Sequence, residues 1–213
     1  MGVRILKEGV LLALPLIVIG AYLGTGAPFE AAVSFSVAGF ILFFYRDPVR
    51  QVRPVEGALL APSDGTVLEI QEEASLLGET CWRVGVFLSV LDAHVNRSPI
   101  EATLVHRSYT KGKFLPAFLG RAGLRNERME YNLIDKAGEA VLVTQVAGFL
   151  ARRIVSFVKE GQDVAQGQKI GFIRFGSKVE VKVPGSYRLL VRKGQKLKAG
   201  KSVIAVREVS SRV

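Results

Sequence analysis

Residues 158–167 read VKEGQDVAQG, and residues 191–200, 33 positions later, read VRKGQKLKAG. Each copy leads into a short run with β character, residues 170–173 after the first copy and residues 203–206 after the second. Each copy also holds two glycines, which suit positive-φ turns between short strands. This internal repeat predicts a β domain that contains two similar half-motifs.

The repeat resembles the half-motifs of lipoyl and biotinyl carrier domains, which are flattened sandwiches of short strands. Residues 61–67 (APSDGTV) fit the same pattern as an earlier strand entry. From about residue 55 onward, short β-branched runs alternate with Gly, Pro and Asp turns. We therefore expect residues 51–213 to form a mainly β domain of sandwich or barrel-sandwich type. No Met-Lys-Met tripeptide is present, and the Asp-Lys-Ala tripeptide that does occur, at residues 135–137, lies outside both copies of the repeat. We therefore disfavour carrier chemistry but keep the fold.

Residues 1–50 have a different character, with two apolar runs at residues 10–23 and 31–45 and a turn-rich segment between them. Basic residues precede the first run and follow the second. Each run is about 15 residues long, shorter than the roughly 20 of a comfortable spanning helix. We expect a membrane-associated helical hairpin with both basic ends on the cytoplasmic side, which either spans the bilayer or dips into one leaflet. The alternatives are two buried helices of a soluble domain, or a signal peptide.

The composition limits the partners and the chemistry. The formal net charge is +10, which indicates an anionic partner. Because the first 50 residues are too apolar for a nucleic-acid-binding arm, an anionic membrane surface is favoured over nucleic acid. With one cysteine, Cys81, two histidines, and no CxxC or HExxH pattern, we predict neither a disulfide framework nor a metal site. Cysteine usage favours a cytoplasmic-facing location.

Three short motifs hold the candidate catalytic residues. They are PSDG at residues 62–65 with Asp64, LDAHVNRSP at residues 91–99 with His94, and RFGSK at residues 174–178 with Gly176 and Ser177. Taken singly, each has an ordinary structural interpretation: Asp-Gly and Gly-Ser are common turns, and a lone histidine is more often structural than catalytic. A fourth segment, residues 110–129, interleaves basic and apolar side chains. It is interpreted either as an amphipathic segment that collects lipid or as an ordinary surface helix.

The order of these motifs, behind an apolar N-terminus and the RDP sequence at residues 46–48, resembles the phosphatidylserine decarboxylase family in its short, compact branch. The resemblance implies a proenzyme that cuts its own backbone into residues 1–176 and 177–213. Ser177 then becomes a covalent pyruvoyl cofactor. The longer members of the family carry two histidines three residues apart. Here the first falls on His94, but the second falls on Arg97.

Serine is a poor nucleophile until a base takes its proton. We expect Asp64, directly or through His94, to activate Ser177 for attack on the Gly176 carbonyl. The resemblance then implies that the pyruvoyl group serves as an electron sink while phosphatidylserine loses CO2 and becomes phosphatidylethanolamine. His94 is the candidate acid that reprotonates the substrate α-carbon, with His106 behind it. Arg97 is expected either to bind the lipid phosphate or carboxylate, or to form a surface salt bridge.

The resulting prediction is a carboxy-lyase of phospholipid biosynthesis on the cytoplasmic face of the cell membrane. Its two cleaved chains stay associated, and the enzyme forms a homo-oligomer. One alternative is a membrane-anchored lipoyl-like carrier or adaptor without decarboxylase activity, which has no use for a cleavable Gly176–Ser177 bond. A further alternative is an enzyme of the same kind that acts on a related amino-acid head group.

Overall fold

The computed structural model describes residues 2–74, 80–112, 126–148, 154–174 and 177–208. Within it the chain divides into two compact units, Met1–Arg50 and Gln51–Val213. Residues 113–125, which form most of the predicted amphipathic segment, lie outside the described residues, as does Gly176.

The first unit consists of two helices and a short two-stranded sheet. Strand β1 (Val3–Ile5) leads into α1 (Lys7–Leu23), and α2 (Pro28–Phe44) leads into β2 (Arg46–Pro48), which pairs antiparallel with β1. The Ser34 hydroxyl of α2 donates a 2.6 Å hydrogen bond to the Leu16 carbonyl of α1. The two apolar runs are thus helices, as predicted.

Many apolar side chains of these two helices are exposed, among them Tyr22 at 80%, Phe29 at 76% and Leu11 at 70%. Among the residues that the structure describes, no helix combines the length and apolar character needed to cross a membrane.

The second unit is built from antiparallel strands, which confirms the prediction of a mainly β domain. The largest sheet has eight strands in the order β11-β7-β8-β9-β13-β5-β4-β15, and two three-stranded sheets have the orders β10-β12-β6 and β14-β16-β3. The strands are β3 (Ala58–Leu60), β4 (Gly65–Ala74), β5 (Thr80–Leu88), β6 (Val95–Arg97), β7 (Ala102–Thr110), β8 (Arg128–Ile134), β9 (Ala140–Val146), β10 (Ile154–Ser156), β11 (Asp163–Val164), β12 (Lys169–Ile173), β13 (Ser177–Pro184), β14 (Tyr187–Leu189), β15 (Lys196–Leu197) and β16 (Val203–Arg207).

The alternation expected of half-buried strands explains the core. Along β8, every second residue is buried, and these are Met129, Tyr131 and Leu133. The buried positions of β13, Val179, Val181 and Val183, join the same hydrophobic cluster. Burying one face of each strand in this way removes a continuous apolar surface from water.

The two copies of the repeat occupy matching places in this unit. The first copy runs beside residues 98–104, and the second runs beside residues 61–67. Three pairs of equivalent backbone hydrogen bonds define the match. In the first pair, the Leu104 N–H donates to Gln162 O and the Val67 N–H donates to Gln195 O, both at 2.9 Å; in the second, the Gly167 N–H donates to Ser98 O and the Gly200 N–H donates to Ala61 O, both at 2.8 Å. In the third pair, which links the two halves, the Arg97 N–H donates to Pro62 O at 2.8 Å and the Leu60 N–H donates to Pro99 O at 2.9 Å. The unit therefore contains two interlocked halves, related by shifts of 37 and 33 residues along the sequence.

Candidate active site

Ser177 is the first residue of β13, and its backbone pairs with Leu88, the last residue of β5. Four residues earlier, the β12 residue Ile173 donates its N–H to the His94 carbonyl at 3.3 Å. Residues 174–176 therefore connect β12 to β13, and residues 89–94 connect the neighbouring strand β5 to β6. Because β12 pairs with β6 and β13 pairs with β5, the end of β12 and the start of β13 lie at the same edge of the unit as residues 89–94. The fold thus brings His94 and the backbone of Ser177 to one region.

His94 is completely buried, and its ring is fixed by the loop that precedes it. The ring Nδ1 lies 2.9 Å from the Asp92 carbonyl oxygen. The Asp92 carboxylate in turn accepts hydrogen bonds from the Ser89 N–H at 3.0 Å and the Ser89 hydroxyl at 2.7 Å. Because a carbonyl oxygen can only accept, Nδ1 carries the proton, and in the neutral ring Nε2 has the basic lone pair. This arrangement suits an acid–base role for Nε2.

Asp64 lies immediately before β4 and is 2% exposed. Its carboxylate accepts a 2.9 Å hydrogen bond from the Ala199 N–H and lies 3.5 Å from the Lys198 ammonium. Strand β5 separates β4 from β13. With strand spacings of about 4.8 Å, the backbones at Asp64 and Ser177 are roughly 10 Å apart. The structure therefore places Asp64 at the same edge, two strands from Ser177.

The turn that positions Asp64 depends on the glycine after it. Gly65 has a φ of 141°, and a Cβ at this position would overlap the carbonyl oxygen of Phe87 on β5. Only glycine allows β4 to start this close to β5. The Asp-Gly pair is thus required both for the turn and for the placement of the carboxylate.

Arg97 is buried, with 7% of its surface exposed. Its Nη1 donates a 2.9 Å hydrogen bond to the Gly167 carbonyl, and its Cδ is close to Gly200. Both glycines belong to the repeat, one to each copy. The Arg97 side chain therefore packs against both turns and is bonded to one of them. Because it is buried, a surface salt bridge, one of the two roles considered from the sequence, does not describe it.

His106, the second candidate acid, lies in a different region. It is on β7, three strands away from β13 in the sheet order. Its side chain is 68% exposed, and Nδ1 lies 3.0 Å from the Glu160 carboxylate. The structure does not bring this ring to the edge that holds His94 and Ser177.

The sequence interpretation missed a charged cluster next to Ser177. The ammonium of Lys178 is 1% exposed and lies 2.6 Å from Glu180 and 2.8 Å from Glu69. Burial opposes its charge, but the charges and hydrogen bonds of Glu180 and Glu69 outweigh burial and raise the pKa of Lys178. Arg83 approaches the same two carboxylates at 3.1 and 3.3 Å. This cluster fixes Lys178, the residue that directly follows Ser177.

It also missed a buried polar chain close to His94. The Tyr131 hydroxyl donates to Gln145 Oε1 at 2.8 Å, and Gln145 Nε2 donates to Asn96 Oδ1 at 2.6 Å. All three side chains are completely buried. Among the described residues, the Asn96 amide nitrogen has no hydrogen-bond partner. No sequence signal points to this chain, because its members come from three separate strands.

Comparisons with known proteins agree with the family predicted from the motifs. The sequence profile of the phosphatidylserine decarboxylase family matches residues 37–205. A phosphatidylserine decarboxylase proenzyme of Symbiobacterium thermophilum is 39% identical over 198 residues, which are 92% of this chain and 90% of that protein. A candidate archaetidylserine decarboxylase proenzyme of Methanosarcina barkeri is 38% identical over 175 residues, or 82% of this chain and 81% of that protein.

Among solved structures, glucose permease IIA from Mycoplasma capricolum aligns with a TM-score of 0.40 and 17% identity, over 70% of this chain and 94% of that one. This likeness is too weak to support an argument. The family match, by contrast, covers both the helical segment from residue 37 and most of the β unit, and the relatives match over nearly their whole length. The chain belongs to the phosphatidylserine decarboxylase family.

Proposed function

We propose that this protein is a proenzyme that cleaves its own Gly176–Ser177 bond and then decarboxylates phosphatidylserine to phosphatidylethanolamine. The observation that carries this proposal is the position of Ser177. Ser177 begins β13, and its backbone pairs with Leu88; two buried ionisable side chains, His94 and Asp64, lie close to the same end of this strand pair, which supports the proposal. Membership of the decarboxylase family supports the same function.

The cleavage requires a base and a nucleophile. The Ser177 hydroxyl attacks the carbonyl carbon of residue 176 while a base accepts its proton, and the amide becomes an ester with a new amino group on Ser177. Elimination releases residue 176 as a carboxylate. One water then enters and one ammonia leaves, so that residue 177 ends as a pyruvoyl group. Asp64 is proposed to drive the first step through His94, since the strand spacing places its backbone two strands from Ser177.

The contacts of the residues after Ser177 would hold a pyruvoyl group in place if it formed at residue 177. Cleavage makes residue 177 the first of a new chain, which would fray unless its backbone were held. Here Lys178 is anchored by Glu69 and Glu180, and β13 pairs with β5 on one side and β9 on the other. The group supplies an electron sink for the departing carboxylate. We assign to His94 the return of a proton to the substrate α-carbon.

Arg97 is proposed to position the active site indirectly, by holding the turn that contains Gly167. Its guanidinium holds the Gly167 carbonyl, and its strand β6 follows His94 directly. A direct contact between Arg97 and the lipid phosphate or carboxylate stays a prediction.

The substrate and location follow from the family and from the first unit. Relatives named for phosphatidylserine and for archaetidylserine occur at similar identity, and both names contain the same serine head group. The exposed apolar side chains on α1 and α2 support association of the first unit with a membrane, on its cytoplasmic face. We also propose that the two interlocked halves are lipoyl-like half-motifs, and that the enzyme forms homo-oligomers.

Intact mass under denaturing conditions tests the proposal. The expected result is two fragments divided at Gly176–Ser177, with the smaller one about 17 Da lighter than a serine-started peptide because ammonia is lost in forming the pyruvoyl group. The smaller fragment should also resist N-terminal sequencing. Ser177→Ala should give one chain of 23.2 kDa and no CO2 release. An uncleaved wild-type chain, or an active Ser177→Ala variant, would contradict the proposal and favour the adaptor alternative.

A further inference from the structure

The two copies of the repeat share a backbone but differ in charge. The first copy, with the residue that follows it (158–168), has one basic side chain, Lys159, and two acidic ones, Glu160 and Asp163. The corresponding residues 191–201, called here the basic turn, have five basic side chains and no acidic one. The five are Arg192, Lys193, Lys196, Lys198 and Lys201, and all are exposed.

The fold itself does not need this charge. The glycines at equivalent places have nearly the same φ, 77° and 84° for Gly161 and Gly194, and 78° and 67° for Gly167 and Gly200. The first copy forms these turns with two acidic residues in place of lysines. The excess of positive charge in the second copy therefore has a cause outside the turn geometry.

The basic turn lies beside the candidate active site. It runs along residues 61–67, with the Gly194 N–H bound to the Val67 carbonyl and the Gly200 N–H bound to the Ala61 carbonyl, both at 2.8 Å. Lys198 reaches the Asp64 carboxylate at 3.5 Å. A negatively charged surface that contacts this turn is thus brought next to the edge that holds Asp64.

We propose that the basic turn docks the β unit onto a surface of anionic lipid head groups and so presents the active-site edge to the lipid. This inference rests on the proposed function, since it concerns how that site meets its substrate. Lipid is favoured over nucleic acid because the apolar Leu190, 45% exposed, directly precedes the turn, and because the proposed substrate itself lies in an anionic bilayer. Basic side chains near such a surface strengthen binding by about fivefold each at moderate salt.

Lysine acylation read by mass spectrometry tests the contact inside one molecule. The uncleaved Ser177→Ala chain is mixed with phosphatidylglycerol vesicles or with phosphatidylcholine vesicles and treated briefly with an acylating reagent. We expect acylation of Lys193 and Lys196 to fall at least threefold on the anionic vesicles. Lys159, in the matching turn of the first copy, should react equally on both. Equal reactivity of all three lysines, or protection by an oligonucleotide but not by vesicles, would overturn the proposal.

Kinetics give a second measurement that separates docking from chemistry. The variant Arg192→Gln/Lys193→Gln/Lys196→Gln leaves Lys198 and Asp64 in place. Its matched control, Lys136→Gln/Lys159→Gln/Lys182→Gln, removes the same number of exposed positive charges elsewhere on the β unit. In mixed micelles of phosphatidylserine and neutral detergent, the first variant should raise KM at least tenfold, keep kcat, and lose most of the salt dependence of KM. The control should behave as wild type.

Because the acylation experiment uses an uncleaved chain, it tests docking even if decarboxylation itself is disproved. Conversely, an active enzyme whose KM does not respond to the basic-turn variant disproves docking while leaving the proposed function intact.

Discussion

Asp64 and His94 are both buried, and their parts in cleavage and in decarboxylation are distinguished by measuring both reactions in the same variants. Asp64→Asn keeps an oxygen that can accept from the Ala199 N–H and removes the charge, so we expect cleavage to slow by about 10²-fold or more. His94→Gln removes the basic ring, and decarboxylation should fall by about 10²- to 10⁴-fold per cleaved molecule. The cleaved fraction is followed by intact mass over time, and CO2 release is divided by that fraction.

Ser89→Ala serves as the control for this pair, because it alters the loop that holds His94 but leaves both ionisable side chains. It should keep most of the cleavage. Rapid, complete cleavage of Asp64→Asn would remove Asp64 from the processing step.

Lys178 shows how one residue stabilises the strand that follows the cleavage bond. Lys178→Met leaves Glu69 and Glu180 without their buried ammonium, and we expect it to lower the free energy of unfolding by about 3 kcal/mol. Lys182→Met on the same strand removes an ammonium that is 44% exposed and pairs with Glu73, so its cost should stay below about 1 kcal/mol. Urea unfolding followed by fluorescence of Trp82, the single tryptophan, measures both. Equal costs would show that burial of Lys178 contributes nothing.

Tyr131 predicts a dependence of stability on alkaline pH. Burial raises the pKa of its hydroxyl to about 12, whereas a phenol in the unfolded chain ionises near 10. Between these values the unfolded chain loses a proton that the folded chain keeps, so stability falls as pH rises through the window, by about 2 kcal/mol in total. The Tyr131→Phe variant has no hydroxyl at this position to ionise, so its free energy of unfolding should not fall for this reason.

The variant should be about 1 kcal/mol less stable than wild type at pH 8, because the hydrogen bond to Gln145 is missing. The gap should then close or reverse from pH 10 to 12 in urea titrations. A gap that stays constant over this range would contradict the assigned ionisation.

Individual residues were predicted from the sequence only where a motif marked them. Asp64, His94 and Ser177 were selected because each is part of a recognisable motif, and their catalytic roles stay predictions; the backbones of all three lie at one edge of the β unit. The burial of Lys178 was not predicted, because the alternation in residues 178–183 (KVEVKV) indicates a strand with one polar face, and such a face is usually exposed to solvent. Its burial depends on Glu69, more than a hundred residues away in the sequence, and no local pattern reports that contact.

At the scale of elements, the glycines of the repeat predict different costs for the same substitution in its two copies. Gly167 and Gly194 have nearly equal φ values of 78° and 84°. A Cβ at Gly167 would lie 2.5 Å from Val52, whereas a Cβ at Gly194 would have no neighbour within 4 Å. Gly194→Ala should therefore cost only the left-handed backbone strain, about 1–2 kcal/mol, and Gly167→Ala should cost clearly more. Trp82 fluorescence in urea compares them, and equal midpoints would show that Val52 moves aside freely.

The sequence predicted the type of most elements but not their arrangement. The two apolar runs are α1 and α2, and both copies of the repeat contain the expected positive-φ turns. The partner segments, residues 61–67 and 98–104, were not recognised as equivalent, because they share little beyond a proline, an acidic residue and a threonine at matching positions. Their equivalence comes from backbone hydrogen bonds, which depend on φ and ψ rather than on side-chain identity.

At the scale of the whole molecule, the proposed cleavage divides the sequence but not the fold. Residues 177–208 supply β13, β14, β15 and β16. Three of these strands pair with strands from the larger fragment: β13 with β5 and β9, β15 with β4, and β16 with β3. The smaller fragment is thus a structural part of two sheets, and its valines belong to the common core.

The two chains should therefore remain together after cleavage and separate only when the β unit unfolds. In detergent without denaturant, size-exclusion chromatography should give one peak containing both fragments in equal amounts, and in 8 M urea two peaks. Lys178→Met should lower the urea concentration at which they separate, since it removes the buried ion pair that joins β13 of the smaller chain to Glu69 of the larger one. Lys182→Met should leave that concentration nearly unchanged. Separation without denaturant would mean that strand pairing between the two fragments is too weak to hold them together. Ser177 would then leave the fragment that contains Asp64 and His94, and the proposed active site would be lost after cleavage.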